Sequence, residues 1–525
     1  MEIKVIFKPT GREVHVLPGT HVMEAAGLAG VALQSPCGGK GKCRKCMVKV
    51  DGEEKLACRT ILMSDSIVEV PEEALFGSSH VILTADSGDV PLAHKPRVAK
   101  EGALGAAFDI GTTTVVGTLF DLESGRELGV GSMINGQVRF GDDVISRIQK
   151  ICEEPAAIFD LRAAIVQTLD AIISKLCMDA GVKPESIRDI TVAGNAAMQQ
   201  IFCGHEVAGL SSVPFEQSFH EAQYVNALEA GITSSQDCEV YVFPQLDGFV
   251  GGDTVAGILA ARMDARDGNV LFVDIGTNGE IVLKAGDKLF AASTAAGPAF
   301  EGARIKQGMR AVDGAIEKVV FADDVQCNVI GDTKPLGLCG TALIDAISGL
   351  LDVGIVDATG RLLWDEELPD DLPTGLKDRV VKLKGELAFV LADGTETSTG
   401  RPVCIWQKDV RELQLAAGAI RAGVNILLNE AGLGVDDLDE ILLAGAFGNF
   451  IRRNHACRIG LLPDVERERI KFVGNAASLG AKLALLSVDE RDYAARLNGG
   501  MAHVDLSKNP GFQDEFAMAM MFPNS

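Results

Sequence analysis

The chain has 525 residues, 47% hydrophobic and 23% charged, with 18 prolines and a formal net charge of −24. That length exceeds one ordinary domain, and the composition predicts large cores rather than long disordered stretches. The negative charge argues against nucleic acid and anionic membrane as partners; with no signal-peptide pattern in the opening MEIKVIF and no apolar run of membrane-spanning length, a cytoplasmic location is expected.

The first stretches, EIKVIFKP and REVHVLPG, alternate apolar and polar residues as a strand hairpin does. THVMEAAGLAG reads as a short helix with Thr20 as its cap, and CMVKVDGEEKLACRT as two strands turning at Asp51-Gly52. Between them lie Cys37, Cys43 and Cys46, with Cys58 shortly after, in the spacing C-x5-C-x2-C-x11-C. A structural zinc site would use two C-x2-C pairs, and only one occurs here. Three thiols in one glycine-rich loop with a returning fourth suit a [2Fe–2S] cluster. This stretch resembles [2Fe–2S] ferredoxins of β-grasp fold, with a hairpin where plant-type ferredoxins carry a long insertion before the fourth cysteine. Lys40, Lys42, Arg44 and Lys45 in the loop contrast with the acidic whole, as either a solvated loop or a docking surface for an acidic redox partner. The other eight of the 12 cysteines are scattered singly and read as buried small hydrophobes.

The expected organisation is a ferredoxin domain over residues 1–79, a linker over 80–104 containing Pro91 and Pro96, and a large α/β unit over 105–525. The large unit opens with GAAFDIGTTTVVGTLFDLESG, a strand ending in Asp109, a Gly111-Thr112-Thr113-Thr114 turn and a second strand. NVLFVDIGTNGEIVLKAGD repeats it, with Asp274 followed by Gly276, Thr277 and Asn278. Amides and hydroxyls in such turns can hold phosphate oxygens, and the strand-end aspartates can hold a Mg²⁺-bound water. In GFVGGDTVAGIL, Asp253 reads either as orienting an attacking water or as a helix cap. LDEILLAGAFGNFIRR places Gly445, Ala446, Phe447 and Gly448 where a flat base could approach the backbone. VGNAASLGAKLALLS (473–487) reads as a glycine-punctuated helix, with ITVAGNAAMQQIFCG (190–204) as its first-half counterpart. No G-x4-G-K-[ST] loop is present. His205, His220 and His455 have no motif around them.

The ordered set of segments resembles the acetate kinase, sugar kinase, Hsp70 and actin superfamily, in which two facing lobes clamp ATP. Joined to the ferredoxin stretch, and with strings such as GPAFEGARIKQGM and QKDVRELQLAAGAIRAG, the chain resembles the reductive activators of corrinoid proteins. The resemblance implies a [2Fe–2S] cluster on Cys37, Cys43, Cys46 and Cys58. It also implies ATP and Mg²⁺ between the hairpins of Asp109 and Asp274, with the Gly445–Gly448 turn at the adenosine. Its implied activity passes one electron to Co(II) of a corrinoid protein, regenerating Co(I) for methyl transfer. A low-potential donor would supply the electron, and a homodimer is left open. That reduction needs a potential below the roughly −400 mV of plant-type centres, and each 59 mV of one-electron deficit costs about tenfold. ATP turnover can offset the deficit through conformations that bind the cobalt states differently. Related activators can carry an extra small domain between ferredoxin and ATPase, and here only the linker fills that gap. Two other functions fit the same modules: a metabolite kinase with a fused redox domain, and an activator of another low-potential metalloenzyme.

Overall fold

The computed structural model of the chain describes residues 3–8, 11–29, 31, 33, 46–71, 92–141, 143–331, 333–445 and 451–523. Cys37, Cys43, the four basic residues of their loop, and Ala446, Phe447 and Gly448 lie outside these.

The N-terminal module is a five-stranded sheet in the order Arg12–Val16, Ile3–Lys8, Ser66–Glu69, Met47–Val50, Glu53–Leu56. Alternation in IKVIFK buries Val5 and Phe7 against the helix Val22–Leu28. Asp51 and Gly52 both adopt left-handed φ, +52° and +86°, the pair of values a two-residue hairpin turn requires. The helix starts two residues beyond Thr20, whose carbonyl accepts the Leu62 amide at 2.9 Å.

The large unit has two lobes built on one plan. In the first, Leu104–Ile110 pairs antiparallel with Thr114–Asp121, which pairs antiparallel with Glu127–Ile134. On its other side Leu104–Ile110 runs parallel to Ile187–Gly194, and that strand parallel to Glu239–Val242. In the second, Val270–Ile275, Gly279–Ala285 and Lys288–Thr294 form the same antiparallel meander, with Glu440–Ala444 and Ile470–Gly474 as the parallel pair. Each lobe adds one edge strand, Gln223–Asn226 in the first and Met501–His503 in the second. The central strands, AAFDI and VLFVDI, are apolar on both faces up to their aspartates, as strands covered on both sides must be.

One face of the first sheet carries the helix Ala157–Ala180; the corresponding face of the second carries Gln407–Ala431 and Gly340–Asp352. The inner faces share a third core with the helices Gly252–Ala261 and Ala476–Leu486, which cross each other between the lobes. They cross closely because Gly480 lies against the Ala256 carbonyl, where a Cβ would stand 2.0 Å from the oxygen.

The stretch 92–103, within the predicted linker, lies on the large unit: Leu92 and Val98 pack against the shared core. No helix among the described residues is long and apolar enough to cross a membrane.

Candidate functional site

Two centres stand out. In the N-terminal module the fully buried Cys46 immediately precedes the strand Met47–Val50, and Cys58 follows its hairpin partner Glu53–Leu56. The Ala57 amide donates to the Cys46 carbonyl at 2.9 Å, so the hairpin holds both cysteines in place. Their sulfurs are 3.3 Å apart. That is far beyond the ~2.05 Å of a disulfide. It is close to the ~3.7 Å edge two thiolates span on one tetrahedral metal with bonds of about 2.3 Å. The pair therefore fits two ligands on one iron. Among the described residues no three His, Cys, Asp or Glu side chains could jointly hold a metal; the other two predicted cysteine ligands lie outside them.

The second centre lies where the two DIGT hairpins face the start of Gly252–Ala261. In the first hairpin, the register Ile110↔Val115 leaves residues 111–114 to turn. Four groups hold that turn from beneath. Asn135 donates to the Gly111 carbonyl at 2.9 Å, and the Asn135 amide to the Thr113 carbonyl at 2.9 Å. Buried Arg147 donates to the Thr112 carbonyl at 2.6 Å, and Asn195 to the Thr112 hydroxyl at 3.1 Å. In the second hairpin the Gly276 amide donates to the Asn278 carbonyl at 3.0 Å, and the Thr277 hydroxyl to Glu301 at 2.7 Å. Gly445 ends its strand with φ +104°, and a Cβ there would stand 2.5 Å from the Ile275 carbonyl and 3.0 Å from Asp274 Oδ1. Only glycine lets this strand end approach Ile275 and Asp274 so closely.

Four carboxyls gather under these turns. Burial pushes Asp109 up to about 6, partly offset by the bond Asn475 donates to its Oδ2 at 2.9 Å. Burial, with Asp109 adding repulsion, pushes Asp253 up to about 7. Burial, then Asp253 and Asp109, pushes Asp274 up to about 8. Glu280, paired across the strands with Asp274, is held well above the usual range by burial and by Asp253 and Asp274. Carboxyls crowded this way lose charge unless a cation joins them. The donor set suits Mg²⁺, which takes one or two carboxylates and completes its shell with phosphates and water. A cavity of about 420 Å³ lined by Asn429, Glu430, Asp514 and Glu515 contains none of these residues.

Two sequence expectations need correction. Asp253 does not cap its helix; Gly251 does, and Asp253 is the second helical residue, accepting from the Thr254 amide at 2.8 Å. Residues 190–204 are not the counterpart of 473–487. Ala476–Leu486 follows the outer parallel strand of its lobe, and the helix after the equivalent strand is Gly252–Ala261. Ala196–Cys203 follows the inner strand, the place of the Gly445 turn in the other lobe. Asp109, Asp253 and Asp274, all named from the sequence, lie within electrostatic reach of one another. Glu280, Asn475, Asn195 and Arg147 were missed; the signal for Glu280 was a lone acid in the apolar run GEIVLKA.

Residues 5–64 match the family model of the 2Fe-2S iron-sulfur cluster binding domain, 104–266 that of the RACo middle region, and 268–525 that of the C-terminal ASKHA domain of RACo. The corrinoid activation enzyme RamQ of Eubacterium limosum is 32% identical over 594 residues, covering 99% of each chain. The [Co(II) methylated amine-specific corrinoid protein] reductase of Methanosarcina barkeri is 28% identical over 407 residues, covering 73% of this chain and 70% of its own. A solved structure of a reductive activator for corrinoid, iron-sulfur protein superposes with a TM-score of 0.74 at 32% identity, covering 100% of this chain and 99% of that one. With a [2Fe–2S] module followed by an actin-like ATP-binding unit along its length, this chain belongs to the family of reductive activators of corrinoid proteins.

Proposed function

We propose that this chain reductively activates a corrinoid protein of a methyltransferase system at the expense of ATP. The carrying observation is that one chain holds both a thiol pair spaced for iron and a two-hairpin cleft crowded with carboxyls. Cys37, Cys43, Cys46 and Cys58 would hold a [2Fe–2S] cluster, which would supply single electrons for the reduction of Co(II) to Co(I) and take them from a low-potential donor. ATP and water go to ADP and phosphate in the cleft.

The chain's own residues divide the remaining work. The turns of Gly111–Thr114 and Gly276–Asn278 present amides and hydroxyls to phosphate oxygens. Asp109 and Asp274 would hold Mg²⁺, whose charge would relieve their mutual repulsion. Asp253 orients the attacking water, a role supported by its half-buried place in the first turn of its helix. Gly445, Ala446, Phe447 and Gly448 line the adenosine side. A reducing cytoplasm is the compartment this chemistry needs, and the eight scattered cysteines of the large unit form no disulfide.

The test is visible spectroscopy under anaerobic conditions. With a reductant and a Co(II) corrinoid protein, the yield of Co(I) should rise with ATP. If ATP makes no difference across several corrinoid partners while a small acceptor becomes phosphorylated, the kinase reading replaces this one.

A further inference from the structure

The helix Ala476–Leu486 is held at both ends by groups far away in the chain. At its start Asn475 is the cap: its side-chain oxygen accepts from the Ser478 amide at 2.9 Å, and its side-chain nitrogen donates to Asp109 at 2.9 Å. Both ends of that amide are engaged, so its orientation is fixed. Midway, the Ala481 carbonyl accepts the Thr191 hydroxyl at 2.7 Å, and Gly480 touches the crossing helix.

At the far end, about 16 Å along the axis, the partner is the segment leading back to the cluster module. The Lys95 amide donates to the Leu486 carbonyl, and the Val488 amide to the Lys95 carbonyl, both at 2.9 Å. The Lys95 ammonium reaches Asp489 at 2.7 Å. Two residues on, Arg97 donates to Asp189 at 3.2 Å, and that fully buried carboxylate is also held by Arg491 at 2.6 Å. His94 bonds the Leu122 carbonyl at 3.0 Å. Residues 92–98 thus form a strap fastened to the helix's end and to the first lobe.

We propose that this helix connects the nucleotide cleft to the cluster module, with Asn475 as its positioning residue at the phosphate end and the 92–98 strap as its output. The inference rests on the activator reading. Lobe closure round a nucleotide moves the first hairpin relative to the second lobe, and packed helices answer by small rigid shifts. Asn475 ties such a shift to Asp109. The strap passes it to the tether, which changes where the module presents its electron.

Amide exchange over residues 92–98 and 486–490, read by mass spectrometry with and without saturating Mg·ATP, tests this with no corrinoid protein present. Protection should change on adding nucleotide to the wild type. It should not change in Asn475→Ser, which keeps a cap but cannot reach Asp109. An unresponsive wild type, or a wild-type response in Asn475→Ser, overturns the proposal. A second arm uses Lys95→Ala/Arg97→Ala and, separately, a short Gly/Ser insertion between Ala93 and His94 that slackens the strap between Leu92 and its anchor at the helix end. In both, ATP hydrolysis and ATP-free Co(II) reduction should stay at wild-type level while ATP stimulation disappears. Stimulation retained in the slackened chain overturns the proposal. A wild type without stimulation refutes the activator reading instead, and leaves the exchange arm to decide this one.

Discussion

Asp274 and Glu280 stand directly opposite each other on adjacent antiparallel strands, and Ser293 continues the row on the next strand. Like charges in direct cross-strand register destabilise a sheet. Burial and mutual repulsion raise both carboxyls above their ordinary range, which favours the neutral forms and eases that repulsion until a cation arrives.

A pH dependence follows for the protein free of Mg²⁺ and nucleotide. Asp109, Asp253 and Asp274, at about 6, 7 and 8, all bind protons more tightly folded than unfolded. Their contribution is fully present below pH 4 and is lost as pH rises through those folded values. Thermal or urea unfolding should therefore show stability falling from pH 6 to pH 8. Asp274→Asn should flatten the fall and be more stable than wild type at pH 8, by roughly 1–3 kcal/mol. Parallel curves for the two proteins would show that the crowding carries no cost.

With nucleotide bound, the same residue changes sign in effect. Asp274→Ala should slow Mg²⁺-dependent hydrolysis on the order of 10²-fold, because charge developing on the phosphates loses its metal clamp. Asp109→Ala should act in the same direction. Wild-type turnover in both variants would place the catalytic cleft elsewhere.

Anaerobically purified protein should carry two irons and two sulfides per chain and give an S = 1/2 signal on reduction. Cys46→Ala should abolish that signal while hydrolysis continues, since the two centres sit on separate cores. A zinc-only or four-iron protein would end the cluster assignment.

At Gly445 the test is backbone geometry. Gly445→Val would force a branched side chain into φ +104° with its Cβ 2.5 Å from the Ile275 carbonyl. The expected cost is about 1–3 kcal/mol, together with weaker nucleotide binding, read by denaturation and by nucleotide titration.

Local chemistry made much of this legible from sequence. The Asp51-Gly52 turn, the two strand-end aspartates and the cysteine spacing each announce a geometry within a few residues. The carboxyl cluster was less visible because its members meet only through tertiary contact. Asp253 comes from a helix start, and Glu280 looks like a surface residue until Asp274 is placed beside it. The repeated GNAA string misled for the same reason: Asn195 and Asn475 both cap helices, but on topologically different strands of their lobes. His455, without any motif, pairs with Asp345 at 2.6 Å, a contact between residues 110 apart that no local pattern encodes.

The crossed helices also order events on the ribosome. The first lobe's sheet is complete once Glu239–Val242 has emerged, and Gly252–Ala261 follows at once. Its inner face, including Ala107, Phe120 and Ala193, still lacks Ala476–Leu486 until nearly the whole chain has been made. A nascent chain therefore carries an apolar face through much of its translation, the situation in which chaperone binding or aggregation competes with folding. A fragment ending after residue 266 would keep that face permanently bare, so expressing the first lobe alone should give insoluble protein unless the 476–486 helix is supplied in trans.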